Sequence, residues 1–166
     1  MKKHADAMEN NARTNMEQIS SKVSEILEVL NRAIEESKNV EQINVNMYAK
    51  ALEQITVSPE NQNLKAEDGI LYSKDGKSVL YCPKAKKGTV TICSGTAIIG
   101  ASSFELCKGI TEIKIPSTVT KVKKDAFATM KKGTVFLVPA GTKEFYESLL
   151  TKETGFISGM KIKEVK

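Results

Sequence analysis

The sequence predicts an α/β repeat solenoid, a short array with a 23-residue period that carries an inserted β-hairpin and an N-terminal helix. Three observations predict it. Val90-Thr91-Ile92-Cys93 superimposes on Ile113-Lys114-Ile115-Pro116, and that on Phe136-Leu137-Val138-Pro139, each 23 residues further on. The register continues past the strand, with Ile99 on Val122, Phe104 on Phe127 and Cys107 on Met130. A fixed period of roughly 20 to 50 residues marks units that bury an apolar face against the next unit. The second observation is Asp75-Gly76, which divides the apolar runs of residues 69–82 and suits a tight type I′ turn. The third is an apolar stripe at helical spacing near the N-terminus.

The elements follow in order. Residues 1–11 are polar and lack apolar anchors, which predicts a disordered tail. Residues 12–50 form an N-terminal helical region, with one helix expected from about 12 to 38. There Met16, Ile19, Val23, Ile26, Leu30 and Ala33 recur three and four apart, and neither Gly nor Pro interrupts. Two readings fit the stripe. It is a coiled-coil seam for self-association, or it covers the open end of the solenoid, whose first unit needs a cap. Residues 51–166 hold the repeats, and 52–57 read as an early repeat strand. Within the repeats, alternation with period two points Val90, Ile92, Ile113, Ile115, Phe136 and Val138 inward. Pro116 and Pro139, which lack an N–H, end their strands. Asp125-Ala126-Phe127-Ala128 reads as one helical turn that drops Phe127 into the core, as Phe104 does one unit earlier.

The outward rows are the candidate partner-binding residues: Thr89, Glu112 and Val135 in one, Thr91, Lys114 and Leu137 in the other. Val135 and Leu137 are out of place on a solvated strand. Either the chain's tail, from Ile157 to Val165, folds over them, or they are an anchor for a partner.

Charge narrows the partners. Residues 1–57 carry seven Lys/Arg against nine Asp/Glu, whereas 58–166 carry eighteen Lys against eleven Asp/Glu. Both arginines, Arg13 and Arg32, lie in the first part. The basic half therefore lacks the forked donors that read bases, and no specific nucleic-acid partner is expected. A lysine-rich solvated surface accounts for the charge, with weak polyanion binding as the alternative. No apolar run is long enough to span a membrane, and no secretory signal is visible in the sequence.

Catalytic chemistry is not expected. The one histidine, His4, falls in the tail, so neither a Ser–His–Asp nor a Cys–His arrangement has an ordered imidazole. Residues 95–100 lack the Gly-Lys-Ser/Thr ending of a phosphate loop. Asp68 and Asp75 read as turn residues, with no further oxygen ligands at calcium-site spacing. No cofactor or metal is expected. Cys82, Cys93 and Cys107 include no C-x-x-C pair and read as small buried residues, with a Cys82–Cys93 bridge left open.

Residues 109–122 followed by Asp125-Ala126-Phe127 resemble the repeat of the BspA-like, Treponema-type leucine-rich repeat family. That pattern runs leucine or isoleucine, I-x-I-P, S-V-T-x-I-G, then A-F and often C. Leu52 to Cys82 is similar to the family's variant unit, where a strand passes through an asparagine turn (Glu60-Asn61-Gln62-Asn63) into a D-G-I-L-Y-S-K-D-G-K hairpin. Val138-Pro139-Ala140-Gly141-Thr142 with Tyr146 is similar to the family's terminal unit, which closes the array. The likeness covers about residues 50–150. Departures are Cys93 in place of proline, Lys123 in place of glycine and Ser103 in place of alanine. The resemblance implies a non-enzymatic adhesion or protein-binding module. It also implies a partner such as a host matrix or cell-surface protein, and an extracellular or cell-surface location. A cytoplasmic location stays open, and so does the alternative of a structural head on an assembly held by the helix.

Overall fold

A computed structural model describes residues 13–29 and 51–165. The expected tail, and the helix beyond residue 29, lie outside the described residues. Helix α1 covers 13–29. Among the described residues nine strands and a second helix follow: β1 (Leu64–Glu67), β2 (Ile70–Ser73), β3 (Ser78–Tyr81), β4 (Gly88–Thr91), β5 (Ile98–Ile99), β6 (Ile110–Lys114), β7 (Lys121–Val122), β8 (Val135–Pro139), α2 (Lys143–Leu149) and β9 (Lys161–Val165).

From β3 to β8 the chain alternates between two sheets, which makes a solenoid of about four turns. One sheet, ordered β4-β6-β8-β9, is parallel throughout. Val90 pairs with Ile113 and Ile113 with Phe136, so the repeat register predicted from sequence is the register observed. The other sheet is ordered β1-β2-β3-β5-β7. Its first three strands form an antiparallel meander, and β3, β5 and β7 run parallel.

The inward residues are buried as the period-two pattern requires. Val90, Ile113, Phe136 and Val138 are fully covered. Phe104, Phe127, Phe136 and Phe156 form an aromatic column through the core, with centroid separations of 5.5, 4.8 and 5.5 Å. Threonine hydroxyls tie successive turns together. Thr96 Oγ1 donates to the Gly76 carbonyl at 3.0 Å, and Thr118 Oγ1 to the Thr96 carbonyl at 2.7 Å.

Several local expectations are corrected. The type I′ turn is not at Asp75-Gly76, where only Gly76 has positive φ. The Gly76 N–H bonds the Ser73 carbonyl at 2.8 Å, as in a type I turn followed by a left-handed bulge residue. Positive φ at two consecutive residues occurs instead at Asp68 (49°) and Gly69 (68°), which join β1 to β2. Residues 52–57 join neither sheet. Leu52 and Ile55 are buried there, and the Ile55 N–H bonds the Gly69 carbonyl at 3.0 Å. Residues 125–128 form tight turns rather than a helical turn. Asp125 and Thr129 have positive φ, as do Ser102 and Leu106 one period earlier. Their amides bond across to the next turn, Phe104 N–H to the Ala126 carbonyl and Phe127 N–H to the Thr154 carbonyl. A helix would direct those donors along its own axis and lose that ladder. Phe127 still reaches the core.

Candidate interaction surface

The strands that build the core also build a surface, because each inward residue leaves its neighbours facing out. Parallel pairing lines them up. Thr89, Glu112, Val135 and Lys161 form one cross-strand row, and Thr91, Lys114, Leu137 and Lys163 the other. All six residues singled out in the sequence are thus brought onto one face. Lys161 and Lys163 complete it and were missed. Ile162 pairs with Phe136 at a spacing of 26 residues, so β9 falls outside the 23-residue register that found the others. The signal was nonetheless there, since Lys161-Ile162-Lys163 repeats the alternation of the earlier strands.

The expectation that the tail folds over Val135 and Leu137 is corrected in part of its geometry. Residues 161–165 lie beside β8 as a further strand, with Val135 opposite Lys161 and Leu137 opposite Lys163. Both apolar side chains stay half-buried, Val135 between Glu112 and Lys161 and Leu137 between Lys114 and Lys163. Thr89, Thr91 and Lys114 are exposed. Thr89 Oγ1 donates to Glu112 Oε2 at 3.0 Å, which orders the acidic member of the face.

The face is bounded by a groove between α2 and β9. Leu150, Phe156, Met160 and Ile162 line it, with Lys143 and Lys163 at its rim. Helix α2 is held there by Tyr146, whose hydroxyl donates to the Pro116 carbonyl at 2.7 Å. The unit implied to close the array is therefore followed by one more strand of the same sheet.

A second exposed surface lies on α1. Leu27 packs against the buried cluster of Leu52, Ile55, Leu64 and Leu71. Met16, Ile19, Ile26 and Val29 are 62–71% exposed.

Several groups on and around the first three strands have shifted titration. A hydrogen bond from Cys93, at 3.3 Å, and then the ammonium of Lys65 hold Glu67 below the usual carboxylate range. Asp75 is lowered chiefly by the Ser73 hydroxyl and then by the Lys77 N–H. Burial pushes the phenols of Tyr72 and Tyr81 upward. Among the described residues there is no group of three metal-ligating side chains, and no helix long and apolar enough to cross a membrane.

The face therefore offers shape, a small apolar centre and positive charge. A model of the BspA type leucine rich repeat region matches residues 76–163, in six copies. Among solved structures, the chain is similar to a leucine-rich repeat protein from Eubacterium ventriosum ATCC 27560, at 33% identity with a TM-score of 0.53. That match covers 59% of this chain and 27% of the other. It is also similar to the pneumococcal vaccine antigen PcpA, at 19% identity with a TM-score of 0.44, over 51% of this chain and 24% of that one. The chain thus spans about a quarter of the length of these solved proteins. No curated protein matches it.

Proposed function

Because the chain belongs to the family of BspA-type leucine-rich repeats, we propose that it is a non-enzymatic adhesion module that holds a partner protein on the outward face of β4, β6, β8 and β9. The observation that carries the reading is the pair Val135 and Leu137, half-exposed in the middle of a face otherwise made of threonine, lysine and one glutamate. Interfaces concentrate their binding energy in a few central anchors ringed by polar groups, and this face has that arrangement. Lys114, Lys161 and Lys163 favour a partner that sets carboxylates around an aliphatic or aromatic anchor. Family membership supports a protein partner, a host matrix or cell-surface protein among them, and an extracellular or cell-surface location.

The test is binding of the full chain to a panel of immobilised extracellular-matrix proteins. At least one should bind, and Leu137→Asp and Lys114→Glu should each weaken it at least tenfold while leaving the circular dichroism and Tm unchanged. Failure to bind any matrix protein removes the adhesive reading. Binding unaffected by both substitutions removes the face.

A second reading is favoured by α1. Its exposed Met16, Ile19, Ile26 and Val29 suit a helical seam that assembles several copies and leaves the repeats as heads. Sedimentation of the full chain should then give an oligomer that Ile19→Asp with Ile26→Asp reduces to a monomer. A wild-type monomer at high concentration contradicts this reading.

A further inference from the structure

We propose that Cys82 and Cys107 are the two halves of a disulfide that staples two successive turns of the solenoid. Both side chains are buried in the main core, at 1% and 0% exposure. They converge on the same carbonyl. The Cys107 thiol lies 3.7 Å from the Pro83 oxygen and the Cys82 thiol 3.8 Å from it. Cys107 Sγ also lies 3.5 Å from the Cys82 carbonyl oxygen. Both are free thiols in the structure.

The backbone is suited to the link. The Cys82 N–H bonds the Ser103 carbonyl at 2.7 Å, so Cys82 sits one ladder spacing from the turn that ends at Cys107. A disulfide needs Cα atoms roughly 4.4–6.8 Å apart, and Cys107 Sγ already reaches within 3.5 Å of the Cys82 backbone oxygen. Cys93 belongs elsewhere, since its thiol donates to Glu67 and its amide to the Tyr72 hydroxyl.

The chemistry is thiol–disulfide exchange. One cysteine thiolate attacks a low-molecular-weight disulfide, such as oxidised glutathione, and releases one glutathione thiolate. The second cysteine then attacks the mixed disulfide and releases the other. Two protein thiols lose two protons and two electrons, and the reagent's S–S bond is reduced to two thiols. Burial shields both sulfurs in the folded chain, so the exchange takes place before the two turns close. Once formed, the link constrains the unfolded chain across 25 positions and resists later reduction because reductant cannot reach it.

The experiment is refolding of the full chain in a mixture of oxidised and reduced glutathione, with a parallel sample kept in reductant. The oxidised sample should be lighter by two hydrogens, and alkylation after denaturation should label Cys93 alone. Peptide mapping should join the fragments that carry Cys82 and Cys107. The Tm should rise by roughly 10 °C over the reduced sample. Cys93→Ser should keep both the mass change and the Tm rise, whereas Cys107→Ser should lose them. Three alkylated cysteines in every condition, or a link through Cys93, overturns the proposal. The outcome is independent of whether the strand face binds a partner.

Discussion

Phe127 sets the cost of disturbing the core. It is fully covered and stands between Phe104 and Phe136, with an edge-on contact to the latter. Phe127→Ala should cost about 3 to 5 kcal/mol, since the ring's contacts vanish and the flanking turns cannot close the gap. Chemical denaturation measures it, and a loss below about 1 kcal/mol contradicts its place as an anchor. This residue was legible from the repeat alone, because Phe104 and Phe127 share a register. Turn residues were less so. The dipeptide Asp-Gly occurs at 68–69 and again at 75–76, and only the first adopts the doubly positive turn. What separates them is the Ser73 hydroxyl, which bonds the Asp75 carboxylate at 2.7 Å and the Ser78 N–H at 3.0 Å. The Ser73 hydroxyl, and then the Lys77 N–H, lower the Asp75 pKa in the folded chain. The stabilisation they give is present above the ordinary aspartate pKa and is lost as pH falls through the lowered value. An NMR titration should place Asp75 below the usual aspartate range, and Ser73→Ala should raise it. An unchanged midpoint in that variant contradicts the assignment.

Elements show where periodicity carries and where it stops. Strands β4, β6 and β8 were readable because apolar residues alternate at a fixed spacing, and a one-residue slip would expose every one of them. Strand β1 was passed over, and β9 was read as a covering tail, although each holds an outward lysine beside a residue packed against the core. Both border insertions, which break the 23-residue count. The turns at 102–106 and 125–129 were misjudged for a different reason. Their amides are satisfied by the neighbouring turn, a long-range bond that local propensity does not report. Helix α2 depends on such a bond. It spans only seven residues, and Tyr146 ties it to the Pro116 carbonyl thirty positions earlier. Tyr146→Phe should cost about 1 kcal/mol, the net value of one hydrogen bond, with the helix retained. An unaltered denaturation midpoint would show that α2 is held by packing alone.

The whole molecule is a stack whose interior is used up by its own packing, so its chemistry is that of an outer surface. The six face residues were legible because the rule that buries one set of positions exposes the other. That Val135 and Leu137 have Lys161 and Lys163 on their outer side was not, since it depends on which strand comes to lie beside β8. The lysine flank gives the face a dependence on salt. Partner association should slow as ionic strength rises, while dissociation changes little. The most direct measurement is surface-plasmon-resonance binding of Leu137→Asp, beside the wild type, to the matrix protein that the wild-type chain binds best. The account predicts at least a tenfold loss of affinity, carried mainly by faster dissociation, in a variant with unchanged Tm. Wild-type affinity in that folded variant would contradict it.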